Sequence, residues 1–245
     1  MHRYKLTIEY YGGPYVGWQM QDNGISVQQK LAEALFALTG EQFVPNGSGR
    51  TDAGVHALGQ VAHIDLEKEW SADKIRDGFN YHLRPEPIAV LAAEPVSSEF
   101  DARFSATRRY YRYVIINRRA RLTLDRSTAW LVPRPLDVDA MEEAAQSFVG
   151  HHDFTTFRSV HCQAKSPLKS IDSAHVIAEG TRIIFETSAR SFMHNQVRSM
   201  IGSLVEVGIG KWPETGIRDA LLAKSRAACG PVAPAHGLYF LKVDY

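Results

Sequence analysis

The chain has 245 residues, of which 44% are apolar, 22% charged and 10% aromatic, and its formal net charge is +1. At about 150 residues per domain this length predicts one or two domains with a sizeable core, and the composition excludes a disordered chain, a collagen-like repeat and a disulfide-stapled miniprotein. The sequence has no run of 18 apolar residues and no signal-peptide pattern, so we expect a cytoplasmic protein without a membrane span.

The first half of the chain alternates predicted strands and helices. Residues 3–10 alternate as a strand, and a glycine-rich loop follows at 12–17. Ser26 and Gln29 form a capping box that begins a helix, and Gly40 ends this helix. The remainder of this half is predicted to form a strand at 59–66, a helix at 72–82 and a strand at 88–94.

The second half resembles the first in the order of its elements. A strand rich in tyrosine and arginine is predicted at 108–116, and a helix begins at Asp137 and ends at Gly150. The predicted elements that follow are strands at 171–178 and 181–188, a long helix from about 192 to 207, a short helix after Pro213 and a strand at 238–244.

This order of elements predicts two α/β halves of similar size. The boundary falls near residue 105, which gives a first domain of residues 1–105 and a second of residues 106–245. Short connections favour mainly antiparallel pairing over long parallel crossovers, so the fold class is α+β.

The small net charge conceals a strongly basic segment. Residues 103–134 contain nine arginines and one acidic residue, Asp125, so this segment carries +8 and the remainder of the chain carries −7. Arginine binds phosphate and stacks on bases, which favours a polyanionic partner, but a solvated charged surface explains the same pattern. The nine are Arg103, Arg108, Arg109, Arg112, Arg118, Arg119, Arg121, Arg126 and Arg134.

The glycine-rich segment at residues 47–57 is the candidate for chemistry. Gly47, Gly49 and Gly54 prevent a regular helix or strand and let the backbone approach a ligand. Within it, Arg50 beside Asp52 would hold the carboxylate ionised, and an ionised, positioned carboxylate can act as nucleophile or general base. The alternative is a tight turn with a structural ion pair.

The absence of other motifs argues against several classes of enzyme. The sequence has no phosphate-binding loop, no dinucleotide-binding glycine pattern and no nucleophile elbow. Cys162 and Cys229 form no C-x-x-C pair, so we expect neither a cysteine-built zinc site nor a structural disulfide. A metal site of His56 and His63 with nearby aspartates is the weakest alternative, because no metal-binding spacing accompanies them.

Several segments resemble motifs of the tRNA pseudouridine synthase A family. One is residues 50–57, Arg-Thr-Asp-Ala-Gly-Val-His-Ala. The chain departs from the family at Tyr11, where an aspartate usually precedes the glycine. The resemblance covers nearly the whole chain, because the other segments follow in the family's order at residues 10–19, 100–107, 111–113, 153–158, 192–198 and 237–239.

The resemblance implies a fold and a set of site residues. The fold is two ferredoxin-like domains that share a mainly antiparallel sheet, with the active-site cleft between them. Asp52 matches the catalytic aspartate, and Arg50 matches a partner arginine that contacts the site. Tyr111 matches a tyrosine that stacks on the target base, Arg198 an arginine that pairs with the catalytic carboxylate, and Leu238 an apolar residue of the base pocket.

The resemblance also implies a reaction, the isomerisation of uridine to pseudouridine at positions 38, 39 and 40 of the tRNA anticodon stem-loop. The family acts as a homodimer that holds tRNA across both subunits, without cofactor or metal. Isomerisation transfers no electrons overall, which agrees with the lack of any cofactor motif. Asp52 would begin the reaction by attacking C6 of uracil, attacking C1′ or removing the C2′ proton, and the sequence does not decide among these routes.

The target uridine must first leave its helical stack, which costs a few kcal/mol. Stacking on Tyr111 would offset about 1–3 kcal/mol of this cost, although a strand tyrosine is also a common core residue. Arg198 interrupts an apolar helix, so we expect either a buried guanidinium paired with Asp52 or a side chain that reaches solvent from the helix edge.

The basic segment supplies candidate contacts to the tRNA backbone. We expect Arg103, Arg108, Arg109 and Arg112 to bind phosphate, so that affinity falls steeply with salt. The alternative function is a non-catalytic RNA-binding protein or RNA chaperone of the same fold. A metal-dependent hydrolase built on His56 and His63 ranks last.

Overall fold

The structure is a computed structural model that describes residues 1–160, 162 and 164–245. In this part of the chain the helices are α1 (Val27–Thr39), α2 (Ala72–His82), α3 (Val138–Ala145), α4 (Gln196–Gly208) and α5 (Gly216–Ala223). The strands are β1 (His2–Tyr10), β2 (Asn46–Gly47), β3 (His56–Leu66), β4 (Ile88–Val96), β5 (Arg108–Asn117), β6 (Trp130–Val132), β7 (Gly150–Asp153), β8 (Leu168–Glu179), β9 (Arg182–Ala189) and β10 (Leu238–Asp244).

The chain forms two compact units. The first contains Met1–Thr107 together with Tyr239–Tyr245, and the second contains Arg108–Leu238. Most of β10 therefore belongs to the first unit, whereas the predicted division placed all of it in the second domain. The division into functional domains at residue 105 stays a prediction.

In the first unit the strand order is β4-β1-β3-β10. The central strand β1 pairs antiparallel with β3 and with β4, and Leu6 lies opposite Ala62 and Ala93. Strand β10 pairs parallel with β3 through Tyr239 and Phe240. Alternation of apolar residues along β1 explains its placement, because every second residue from Tyr4 to Tyr10 is buried.

Two helices belong to the first unit, and both begin at serine caps. The Ser26 side chain accepts the Gln29 N–H at 3.1 Å, and α1 ends at Gly40, which has φ +74°. Helix α1 buries four apolar residues at helical spacing, and α2 buries Ile75 and Phe79. The capping pattern therefore placed α1 correctly.

In the second unit the strand order is β5-β9-β8-β7, and each neighbouring pair is antiparallel. The short strand β6 pairs parallel with β5. Paired apolar residues stabilise this sheet, because Tyr113 lies opposite Phe185 and Phe185 lies opposite Val176. The α+β class and the mainly antiparallel pairing predicted from the sequence are confirmed.

Helix α4 is buried on all sides. Each of its residues is buried except Arg198, which is partly exposed. The helix begins at Gln196 and not at 192, because Asn195 takes the left-handed conformation with φ 61° and cannot continue a helix backwards. Among the described residues, no helix is both long and apolar enough to span a membrane.

Candidate active site

Asp52 lies at the start of a tight turn between β2 and β3. The Val55 N–H donates to the Asp52 carbonyl oxygen at 3.1 Å. Gly54 within the turn has φ +79°, a left-handed conformation that favours glycine. The Asp52 side chain is partly exposed. The turn therefore presents a carboxylate on a backbone whose conformation is fixed.

The loop that follows β1 packs directly on this turn. Gly17 forms an isolated antiparallel bridge with Asp52, and the Trp18 N–H donates to the Thr51 carbonyl oxygen at 3.1 Å. A Cβ atom at Gly17 would lie 2.5 Å from that same oxygen. A side chain at Gly17 would therefore push the loop away from the Asp52 turn.

Buried polar side chains anchor the residues that precede Asp52. The Tyr10 hydroxyl and the Thr51 Oγ1 are 2.7 Å apart, and burial raises the pKa of Tyr10 well above its usual range. The Gln60 side chain accepts the Ser48 hydroxyl at 2.7 Å and donates to the Gly49 carbonyl oxygen at 2.9 Å. These bonds fix the turn to β1 and β3.

The two histidines of β3 have structural partners. The His56 Nδ1 accepts the Gly12 N–H at 2.9 Å, and the His63 Nδ1 accepts the Ala102 N–H at 3.1 Å. Burial lowers the pKa of His63, and the charge of Arg3 lowers it further. In the described part of the chain, no three histidine, cysteine, aspartate or glutamate residues are grouped as a metal site.

The structure shows no ion pair between Arg50 and Asp52, although Arg50 was expected to hold the carboxylate ionised and a structural ion pair was the alternative. Arg50 is exposed and forms no ion pair with any carboxylate among the described residues. Arg103 is also exposed, and its guanidinium lies 5.5 Å from the centre of the Phe104 ring, which is itself 77% exposed. Arg50, Arg103 and Phe104 are therefore three exposed side chains of the first unit.

In the second unit, β5 places alternate residues on opposite faces. Arg109, Tyr111 and Tyr113 are buried, whereas Arg108 is exposed and Tyr110 and Arg112 are partly exposed. The Tyr111 ring meets the Phe192 ring edge to face at 5.1 Å, and the Arg109 guanidinium donates to the Arg190 carbonyl oxygen. The predicted separation of Tyr111 from Tyr110 is confirmed.

Carboxylates already bind two of the arginines predicted to contact phosphate. Arg108 forms an ion pair with Asp172 at 2.8 Å, and Arg112 forms one with Glu186 at 2.6 Å. Both pairs lie on the more exposed face of β5. Phosphate would have to compete with these carboxylates, an obstacle that the sequence did not reveal.

Arg198 is held by hydrogen bonds to Ala233 and to Asn195. Its Nε donates to the Ala233 carbonyl oxygen at 2.7 Å, and its Nη1 donates to the Asn195 side chain at 3.0 Å. Burial raises the pKa of Tyr113, and the charge of Arg198 opposes this shift. The guanidinium is therefore positioned by hydrogen bonds within its own unit.

Leu238 begins β10 and is 5% exposed. A short 3₁₀ turn at Ala235–Gly237 leads into it, and a Cβ at Gly237 would lie 2.6 Å from the Tyr113 ring. The buried position suits an apolar residue of a base pocket and suits a core residue equally.

Comparison with known proteins identifies the family. A family model described as tRNA pseudouridine synthase matches residues 7–105 and 144–245. These ranges include Asp52, Arg198 and Leu238, while Tyr111 lies between them. The chain belongs to the tRNA pseudouridine synthase family, and it is an isomerase.

Individual relatives are similar to this chain over all or nearly all of their length. A protein of Afipia carboxidovorans named tRNA pseudouridine synthase A is 60% identical over 245 residues, which is 100% of both chains. Proteins of the same name from Parvibaculum lavamentivorans and Maricaulis maris are each 58% identical over 100% of this chain, and over 100% and 98% of their own. A solved structure titled "Crystal Structure of a Cbf5-Nop10-Gar1 Complex" aligns at a TM-score of 0.38 and 12% identity over 82% of this chain and 45% of that one, too weak a similarity to support a conclusion.

Sequence reasoning did not identify the supporting partners of the Asp52 segment that are distant in the chain. Tyr10 is 41 residues from Thr51 in the chain, and Gly12 is 44 residues from His56. Thr51 and His56 lie inside the segment at residues 50–57, and Tyr10 and Gly12 lie in the family-like segment at 10–19, but no local pattern in the sequence shows that the two segments are in contact. The glycines at residues 12–17 were identified as a loop inside the segment at 10–19 that resembles a family motif, but their contact with the Asp52 turn was not predicted.

Proposed function

We propose that the protein converts uridine to pseudouridine at positions 38, 39 and 40 of the tRNA anticodon stem-loop. The observation that carries the proposal is the partly exposed Asp52 carboxylate, held on a braced turn inside the segment that resembles the family's catalytic motif. Full-length relatives named tRNA pseudouridine synthase A support tRNA as the substrate.

Asp52 begins the reaction after the uridine has been flipped out of its stack. The N1–C1′ bond breaks, the uracil turns and a C5–C1′ bond forms, so the proton on C5 is released and N1 gains one. A nucleophile or a base suffices for this redox-neutral rearrangement, and Asp52 serves either role. No cofactor is part of the proposal.

Other residues take roles that the family resemblance assigns. Tyr111 stacks on the flipped base, Leu238 lines its pocket, and Arg198 pairs with the Asp52 carboxylate. The hydrogen bonds from the Arg198 guanidinium to Ala233 and Asn195 support a fixed position for it. Arg50 contacts the site, and Arg103, Arg108, Arg109 and Arg112 contact the RNA, in a cytoplasmic homodimer that holds tRNA across both subunits.

Tritium release from tRNA labelled at C5 of uridine tests this function. Asp52→Asn keeps the size of the side chain and removes its charge, so we expect release to fall by about 10²- to 10⁴-fold. Asp22→Asn, at an exposed aspartate of the same unit, is the matched control and should retain wild-type release. Transcripts with uridine at only one of positions 38, 39 and 40 then test each position.

Three outcomes contradict the proposal. Release by Asp52→Asn at the wild-type rate removes Asp52 from the reaction. Tight tRNA binding by the wild-type protein without release favours a non-catalytic RNA-binding protein. Loss of release on adding a chelator favours the metal-dependent alternative.

A further inference from the structure

The twelve residues that connect β5 to β6, here called the arginine loop, carry a cluster of exposed arginines in the second unit. Residues 118–129 contain four arginines and one acidic residue, Asp125. All four arginines, which are Arg118, Arg119, Arg121 and Arg126, are exposed. The loop lies between the two ranges that the family model matches.

The charges of the arginine loop are not neutralised by its surroundings. Its one carboxylate, Asp125, is engaged by Arg182 of β9 at 3.2 Å. None of the four loop arginines forms an ion pair with a carboxylate in the described part of the chain. This distinguishes them from Arg108 and Arg112 of β5, whose charges are compensated by Asp172 and Glu186.

The loop is held in place at both ends. Strands β5 and β6 pair in parallel, and the Asn117 side chain donates to the carbonyl oxygens of Val132 and Arg134 at 2.8 and 2.6 Å. Within the loop, the Arg118 guanidinium donates to the carbonyl oxygens of Ala120 and Arg121, each at 3.3 Å. A loop fixed in this way loses little conformational entropy when it binds a ligand.

We infer that the arginine loop binds the phosphate backbone of the RNA substrate and contributes affinity, while the chemistry takes place elsewhere. The inference rests on the proposed function, since it names where the same substrate is held. Arg118 follows Tyr111 by seven residues and comes directly after the end of β5, which corresponds to about 23 Å of extended chain. The loop therefore contacts nucleotides several positions away from the uridine that stacks on Tyr111.

The charge pattern favours RNA over an anionic membrane. Four arginines spread over nine residues suit a row of phosphates, which guanidinium groups bind through paired hydrogen bonds. Leu124 is 95% exposed at the middle of the loop and is its one strongly exposed apolar side chain. Insertion into a membrane requires a larger apolar surface.

The salt dependence of tRNA binding tests the inference. The triple variant Arg119→Gln, Arg121→Gln and Arg126→Gln removes three charges and leaves Arg118 to hold the loop. Each lost phosphate contact reduces the slope of log affinity against log salt by about 0.7–0.9. From 50 to 200 mM salt, wild-type affinity should therefore fall about 20- to 40-fold more than that of the variant. The variant should raise KM in the tritium assay far more than it lowers kcat.

Two control variants make the test specific. The variant Lys68→Gln, Lys74→Gln and Arg218→Gln removes the same charge from exposed sites outside the loop and should keep the wild-type slope. Replacing the three loop arginines by lysine keeps the charge and should restore most of the slope. Thermal unfolding checks that each variant is folded.

The outcomes separate this inference from the proposed function. A wild-type protein that releases no tritium from tRNA overturns the function, whatever the loop does. An active wild type and a loop variant with the same slope overturn the inference, as does an equal loss of slope in the control outside the loop. Wild-type binding to vesicles containing phosphatidylglycerol that is lost in the loop variant, with tRNA binding unchanged, assigns the loop to a membrane and also overturns it.

Discussion

Thr51 links the candidate catalytic carboxylate to the core of the first unit. Its side chain is buried and its Oγ1 lies 2.7 Å from the Tyr10 hydroxyl, while its carbonyl oxygen accepts the Trp18 N–H. Asp52 is the next residue in the chain. A displacement of Thr51 therefore moves the carboxylate, and displacements of about 1 Å can cost two orders of magnitude in rate.

The Tyr10–Thr51 contact predicts a measurable coupling. Thr51→Val keeps the shape of the side chain and removes the hydroxyl, so we expect a loss of about 1 kcal/mol in stability and a fall of up to about 100-fold in kcat. Tyr10→Phe removes the same bond from the other side, and the double variant should be little worse than either single one. Additive effects in urea unfolding and tritium release would show that the two hydroxyls act independently. Thr7→Val, at a partly exposed threonine of β1, is the control.

At the level of elements, helix α4 and the segment at residues 230–233 approach each other so closely at Gly202 that no side chain fits between them. A Cβ at Gly202 would lie 1.7 Å from the Pro231 carbonyl oxygen. The same segment accepts the Arg198 guanidinium through Ala233, and the Ala233 N–H donates to the Arg198 carbonyl oxygen at 3.0 Å. The glycine therefore sets the distance at which Arg198 is held.

Two glycine substitutions in α4 test this contact. Gly202→Ala forces the backbone of residues 230–233 away, and we expect it to lower the free energy of unfolding by about 3 kcal/mol. Gly208→Ala in the same helix meets the flexible end of Met141 and should change that energy by less than about 1 kcal/mol. Urea unfolding measures both. Equal losses in the two variants would contradict the assigned role of Gly202.

The elements found from the sequence are those with strong local signals. The Ser26 cap and Gly40 located α1, and alternation located β1, β5 and β10 to within a few residues. Strands β2, β6 and β7 have two to four residues and were missed, because alternation needs a longer segment. Helix α4 was placed four residues too early, since its apolar pattern extends past the left-handed Asn195.

The candidate site was predicted less completely than the fold. Motif resemblance identified Asp52, Tyr111 and Arg198, but sequence alone did not show that Asp172 and Glu186 engage Arg108 and Arg112. Such pairs join strands that are distant in the chain, so no local pattern reports them. For the same reason the basic segment looked uniform, although its arginines have different partners.

At the level of the whole molecule, the first unit is assembled from both ends of the chain. Residues Tyr239–Tyr245 belong to it, while the 131 residues from Arg108 to Leu238 form the second unit. The Thr107 N–H donates to the Asp244 carbonyl oxygen at 2.9 Å, and the Tyr245 hydroxyl donates to the Ala102 carbonyl oxygen at 2.9 Å. The last strand is therefore a structural part of the unit that carries Asp52.

Deletion of residues 239–245 tests this assembly. The deletion removes the parallel partner of β3 and both of these hydrogen bonds, so we expect amide exchange in β1 and β3 to accelerate at least tenfold. Amides of β8 and β9 in the second unit are the internal control and should keep their protection. Equal acceleration of amide exchange in both units would contradict a specific role of residues 239–245 in the first unit. Tyr245→Phe removes one bond alone and should have a much smaller effect.

The interrupted first unit has a consequence for the order of events during synthesis. At roughly 5–20 residues per second, the ribosome needs about 7–26 s to translate the 131 residues that separate the two parts of this unit. During that interval β3 lacks its parallel partner β10, and the Tyr239 ring is not yet available to contact His56. His56 is only four residues after Asp52. A nascent chain interrupted before residue 239 therefore leaves the aspartate turn on an unfinished sheet. Completion of translation is thus a condition for completing the unit that bears the carboxylate.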